Sequence, residues 1–289
     1  MKQILFLHGD PEKARNDNHL RLPAAFEAAG WAAVCRDHES LAVEGNELRL
    51  AGFDPADFQL LWPLGFGKQV SFFDRMQMLA TLPRENFVVS VDALVYLHGK
   101  HRWQQYMPET HTSSNPDYLE KQLNRGGSWI LKPTAGSYGR DVVKIDSPSQ
   151  GRQLLRTLVS RYPDSYLMLQ RYIDEVASGE KRSLVAGGTI IGSYLRVPNQ
   201  DFRANVAAAA RVAPTQLNDA EHQLVASIAA ELAELGAGFA AIDTVYPYLM
   251  EVNVANPGGL ETLASLGAAT AARDTVAALC RWKGIGTEV

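Results

Sequence analysis

The chain has 289 residues, 46% apolar and 21% charged, which is ordinary for a globular protein and long enough for two compact units or one large α/β domain. A net charge of −4 with both signs interspersed argues against a nucleic-acid binder and a membrane-surface protein. No apolar run approaches the roughly 20 residues of a membrane span, the N-terminus lacks a signal-peptide layout, and Cys35 and Cys280 lie far apart without metal-ligand spacing, so reduced thiols in a cytoplasm are expected.

Residues 4–7 form a short apolar strand ending in His8-Gly9-Asp10, followed by a helix pattern over 20–29 closed by Gly30 and a strand over 31–35. This βαβ opening lacks the G-x-G-x-x-G fingerprint of dinucleotide binding. A third strand is expected over 57–63, a helix over 72–82 and a fourth strand over 87–90. His8, His98 and His101 carry no partner pattern and read as surface or packing histidines.

A helix-like segment then carries Lys100 near its end, 113–116 reads as a loop and 117–123 as a helix. The strand 129–132 leads into K-P-T-A-G-S-Y-G-R-D, and another strand follows over 142–145. A glycine loop between strands is not a Walker A loop, which opens a helix. It is either a plain hairpin or a flexible flap closing over phosphates with Lys132 as a nearby point charge. A helix over 150–162 and a strand over 166–170 come next, then a hairpin of 183–186 and 189–195 around Gly187-Gly188. Arg182, Arg196, Arg203 and Arg211 recur over thirty residues, and guanidinium forks suit carboxylates and phosphates. A helix over 219–235 stops at Gly236, and a last helix over 264–282 covers the final sheet.

Between them, Phe239–Val245 and 249–255 read as two strands joined at Tyr246-Pro247-Tyr248. A turn centred on Pro247 sets Asp243 opposite Glu251, with Asn253 on the same face by the two-residue period. Two carboxylates directly across a ladder repel unless a cation separates them. The patch is therefore either an exposed acidic face on an ordinary hairpin or a hard-oxygen site for Mg2+ shared with phosphate.

The order of these features resembles the ATP-grasp fold, and more closely bacterial glutathione synthetase. The carriers are a lysine, K-P with a glycine loop, Q-R-Y-I-D-E-V-A-S-G-E-K-R, R-A-N, and Asp243 followed by E-V-N-V-A-N-P. The resemblance is strongest over 128–259, and S-V-D-A-L, G-K and P-E-T before it also match. It implies an α/β (α+β) ATP-grasp chain with an N-terminal βαβ-type unit. The parts expected are a substrate-side domain over 1–98, a central subdomain over 99–170 and a C-terminal subdomain over 171–289.

Carried over residue by residue, the resemblance places Lys100 and Lys132 on the phosphates of ATP, under the loop of Gly136, Ser137, Tyr138 and Gly139. Gln170, Arg171, Tyr172 and Ile173 would edge the adenine and Glu180 the ribose; Asp243, Glu251 and Asn253 would hold Mg2+, with Mn2+ as an alternative. Arg182, Arg196, Arg203 and Arg211 would face the transferred phosphate and acceptor carboxylate, with Asn205 placing the acceptor. The expected activity is ATP-dependent ligation of a small anionic amino acid or dipeptide to an amine, without nucleic acid or membrane, and with a homo-oligomer left open. γ-Glutamylcysteine plus glycine is the natural pair by resemblance; another amino-acid, dipeptide or peptide-glutamate ligase, or a non-catalytic nucleotide-binding relative, is the alternative. Two departures bear on the substrate: Ala207–Ala210 replaces a lid rich in glycine and arginine, and N-P-G-G-L-E-T replaces a serine/threonine-containing run.

Overall fold

The computed structural model describes residues 1–134, 141–198 and 210–286. Its first sheet has strand order β2-β1-β5, all parallel, from β1 (Gln3–His8), β2 (Ala32–Asp37) and β5 (Leu60–Leu64). Helix α1 (Asn18–Ala28) makes the crossover, as the apolar runs and Gly30 lead one to expect. Between β2 and β5 lies an unanticipated hairpin, β3 (Leu41–Glu44) and β4 (Glu47–Leu50). Its two-residue turn is Gly45-Asn46, both at positive φ, which is the geometry short hairpins require. Helix α2 (Phe72–Leu79) follows, but the expected strand over 87–90 is reduced to single bridges, Phe87 to Leu61 and Val89 to Ala237.

A second, antiparallel sheet of order β6-β9-β7-β8 comprises β6 (Thr110–Ser113), β7 (Trp129–Pro133), β8 (Val143–Ile145) and β9 (Leu167–Arg171). Helices α3 (Pro116–Leu123) and α4 (Pro148–Arg161) cover it, each begun by a side-chain cap, Asn115 to the Asp117 N–H and Ser147 to the Gln150 N–H. Its core is its own, built around Trp129, Leu131, Leu155 and Leu169.

The third sheet has order β12-β11-β10-β13-β14 and is antiparallel throughout. Its strands are β10 (Glu180–Ala186), β11 (Thr189–Val197), β12 (Arg211–Pro214), β13 (Phe239–Val245) and β14 (Tyr248–Asn253). Helix α5 (Asp219–Glu234) opens with a reciprocal cap between Asn218 and Glu221. The expected single C-terminal helix is two, α6 (Leu260–Ser265) and α7 (Ala271–Trp282), parted where Gly267 takes φ 103°.

One apolar core runs through both the first and third sheets. Trp62 of β5 lies 5.5 Å from the ring of Phe6 in β1 and 5.5 Å from that of Phe239 in β13. Aromatic packing at this spacing locks the two sheets together. Among the described residues no helix is long and apolar enough to cross a membrane, and both cysteines are free. Truncating Trp62 to Ala should lower the unfolding free energy by about 3–5 kcal/mol, read as a shifted urea midpoint, because a buried indole leaves a cavity that two sheets share.

Candidate active site

Sheet register alone gathers the polar residues of the third sheet. Tyr194, Arg182, Asp243 and Glu251 stand directly opposite one another across β11, β10, β13 and β14, so their side chains share one face. Glu180 opposite Arg196 forms the next row on that face, and Asn253 opposite Ala241 the row on the other side. The pairing of Asp243 with Glu251 is the one expected from the Pro247 turn.

Asp243 is 1% exposed and is gripped from two sides. Arg182 donates from Nε to Oδ1 at 2.7 Å and from Nη2 to Oδ2 at 2.6 Å, and Arg196 Nη2 lies 2.8 Å from Oδ2. Arg196 also bonds Glu180, and Arg182 Nη1 donates to the Gly258 carbonyl at 3.2 Å. Burial opposes ionisation of Asp243, but Arg182 and Arg196 outweigh it and hold the carboxyl below the usual carboxylate range. Glu180 moves the other way: burial raises it, against the pull of Arg196. Glu251 accepts from Lys100 Nζ at 2.7 Å, and its side chain remains 38% exposed. Burial works against its charge as well, and Lys100 overcomes that.

The second sheet brings Lys132 to the same place. Its ammonium donates to Gln170 Oε1 at 2.9 Å, and Gln170 in turn donates to Thr110 Oγ1 at 3.0 Å. Gln170 is thus buried beneath the lysine as its orienting partner, a role its position in the expected adenine hinge did not suggest. Burial, reinforced by the Lys100 charge, lowers Lys132 to about 7, while Glu251 and Glu180 pull the other way. Lys100 and Lys132, from separate elements, therefore stand over the same acidic face.

Other expected residues sit elsewhere. Arg171 turns to the far side of its sheet, with its guanidinium 3.7 Å from the centre of the Trp129 ring and 2.9 Å from Glu109. The N–H groups of Arg171 and Tyr172 bond the carbonyls of Glu109 and Ser128, and Ile173 packs with Val176 and Val245. Arg211 is exposed on the edge strand β12 opposite Val197, one residue out of phase with Arg196, so it lies on the opposite face. Gly136, Ser137, Tyr138, Gly139, Arg203 and Asn205 lie outside the described residues, as does 207–209 of the alanine run. Two contributors had no local signal in the sequence: Tyr194, placed by register, and the Gly258 carbonyl, reached across 76 residues.

Among the described residues no group of three His, Cys, Asp or Glu side chains gathers as a metal site, since Asp243, Glu251 and Asn253 supply two carboxylates and one amide. That donor set fits Mg2+, a hard cation that takes one or two carboxylates and fills its remaining positions from phosphate and water. Glu251 is ionised and partly open, whereas the Asp243 oxygens are held by guanidinium groups, so a cation would meet Glu251 first.

Residues 98–267 match the model of the prokaryotic glutathione synthetase ATP-grasp domain. The chain belongs to this family. It is 30% identical over 179 residues to the glutathione synthetase of Synechococcus elongatus, which covers 62% of this chain and 55% of that protein. It is 31% identical over 182 residues to that of Prochlorococcus marinus, covering 63% and 59%. The chain spans about half the length of the curated relatives it matches. Among solved structures it resembles a D-cycloserine synthetase, with TM-score 0.68, 18% identity and coverage of 97% and 99%. It also resembles the D-alanine–D-alanine ligase of Bacillus anthracis complexed with ATP, with TM-score 0.62, 14% identity and coverage of 98% and 97%. At such identities the likeness is one of fold, and the fold is ATP-grasp.

The two family carboxylates should differ sharply in stability. Asp243→Leu leaves two guanidinium groups buried without their shared acceptor and should destabilise by about 3–5 kcal/mol. Glu251→Gln, in a part-buried pair whose carboxylate is 38% exposed, should change the urea midpoint less.

Proposed function

We propose that this chain is an ATP-dependent carboxylate–amine ligase that works through an acylphosphate. The observation that carries the reading is the convergence of Lys100 and Lys132 on a face where Asp243 and Glu251 are ionised beside Arg182 and Arg196. Lysines from different elements, placed before substrate arrives and charged once phosphate is bound, are suited to a phosphoryl group whose charge redistributes during transfer. Membership of the family supports the same reading.

An oxygen of the acceptor carboxylate forms a bond to the γ-phosphorus as the bond to the β,γ-bridging oxygen breaks, and ADP leaves. The amine nitrogen then forms the C–N bond at the acyl carbon, the bond to phosphate breaks, and inorganic phosphate departs while the amine gives its protons to solvent. Neither step needs a side-chain nucleophile. Lys132, held by Gln170, faces the phosphates, and Lys100, held by Glu251, joins it. Arg182 and Arg196 orient the acceptor carboxylate next to Asp243. Mg2+, when bound through Glu251, Asn253 and Asp243, would neutralise phosphate charge. The family points to γ-glutamylcysteine as acceptor, glycine as amine and the cytoplasm as location. A ligase with another amine or peptide substrate is the second reading, favoured by the N-P-G-G segment that follows the last strand.

Offering acceptors and amines with Mg·ATP should release ADP and peptide in equal amounts for γ-glutamylcysteine and glycine, as read by coupled assay and mass spectrometry. Glu251→Gln should abolish that release while remaining folded; full turnover in the variant, or no ADP with any small acceptor, would sink the reading. The charge on Lys132 offers an independent check. With its folded value near 7, the lysine is mostly neutral at pH 8 in the empty protein, and bound phosphate favours the charged form. Nucleotide binding at pH 8 should therefore take up protons, seen as buffer-dependent heat in calorimetry, and Lys132→Met should lose that component.

A further inference from the structure

The second sheet presents two different faces. Trp129, Leu131 and Leu169 pack into the core with residues of α3 and α4. Strand alternation sends Thr110, Gln170 and Lys132 to the other face. Thr110 stands directly opposite Gln170, and Lys132 stands opposite Met168, two residues before Gln170 on the same strand.

Three hydrogen bonds run in line across that face. Lys132 Nζ donates to Gln170 Oε1 at 2.9 Å, Gln170 Nε2 donates to Thr110 Oγ1 at 3.0 Å, and Thr110 Oγ1 donates to the Pro108 carbonyl at 2.7 Å. Pro108 is buried, and Gln170 is 2% exposed. Only one direction satisfies every member of this chain. A carbonyl oxygen can only accept, so the single hydroxyl proton of Thr110 goes to Pro108. Thr110 then offers Gln170 a lone pair, and the amide must turn its NH2 toward it. The amide carbonyl is left for Lys132.

The two ends of a primary amide have nearly the same shape, so partners alone decide which way it lies. Reversed, Gln170 would aim two N–H donors at an ammonium that carries three of its own, and no bond could form. Among the described residues Gln170 is the hydrogen-bond partner of Lys132, and its burial leaves little room for water to replace a lost bond. The segment that sets the direction is itself pinned to β9. The Glu109 carbonyl accepts the Arg171 N–H at 2.8 Å, and its carboxylate takes Arg171 Nη2 at 2.9 Å.

Resting on the ligase reading above, we infer that Thr110 is a positioning residue for phosphoryl transfer. Through the Gln170 amide it determines that Lys132 meets an acceptor and so holds its ammonium in place. The run Pro108-Glu109-Thr110 thereby gains a chemical role: its first residue supplies the terminal carbonyl, its second the anchor to β9, and its third the hydroxyl.

The test is calorimetric binding of a non-hydrolysable ATP analogue with Mg2+ to a set of variants. Thr110→Val keeps the shape and removes the hydroxyl, and it should weaken binding about tenfold, the size of one hydrogen bond to a charged group. Thr110→Ser keeps the hydroxyl and should stay within about threefold of wild type. On a Lys132→Met background Thr110→Val should cost nothing further, because the two residues act as a unit. Gln170→Glu offers acceptor oxygens at both ends, so direction no longer matters and Thr110→Val should cost little there too. A threonine that only filled space would cost the same in every background. Wild-type binding by Thr110→Val, no recovery in Thr110→Ser, or an undiminished loss on either background would each overturn the assignment. Absence of analogue binding to wild type would overturn it as well. Because binding is read without turnover, a chain that shows the expected pattern but releases no ADP would refute the ligase reading and leave the positioning role standing.

Discussion

A single buried carboxylate organises this molecule. Asp243 accepts the fork of Arg182 and an Nη of Arg196, so three strands of the third sheet are tied at one point. Taking charges out of water is expensive, and a buried ion pair contributes little net stability compared with apolar packing. What it supplies is placement. Two guanidinium groups on long side chains are fixed before any substrate arrives, and the Arg182 contact with Gly258 fixes the start of the segment after β14 as well.

That segment is also held from the N-terminal side. The side chains of Asn16 and Asn18 bond Asn256 and Pro257, and the Gly65 N–H donates to the Ala255 carbonyl. The parallel sheet is consequently one wall of the site, and the core shared through Trp62 and Phe239 keeps it in register with the third sheet. The second sheet has a separate core and brings in Lys132 on its Gln170 support. A unit with its own core can shift relative to the rest with less disruption of packing than a sheet inside a shared core. Lys132 thus sits on a unit with its own core, and Arg182 and Arg196 on the sheet that shares its core with the parallel sheet.

Much of this was legible in the residues. The turn at Pro247 sets the strand parity that places Asp243 opposite Glu251, and the observed register agrees. Helix α5 was equally readable from its apolar run and the stop at Gly236, whereas the caps that begin α4 and α5, Ser147 and Asn218 with Glu221, are local bonds that went unread. Weak or short signals failed. The Gly45-Asn46 hairpin went unread, the edge strands β6 and β12 were missed, and the last helix was drawn through Gly267. Edge strands of four residues have half their pairing and little apolar pattern, so tertiary context decides them.

Sequence by itself determined the longer apolar strands and helices, the polar residues at two-residue spacing and the family pattern, since each depends on neighbours along the chain. Only the tertiary structure decided what those residues meet. It put Arg182 and Arg196 on Asp243, seated Gln170 beneath Lys132, turned Arg171 toward Trp129, and set Arg211 on the far face by a one-residue phase. It also collected His8, His19 and His38, from three separate elements, at one sheet edge beside Asn256. These outcomes rest on register between strands and on packing between sheets, and partners as far apart as Asn18 and Asn256 leave no periodic trace in a single sequence.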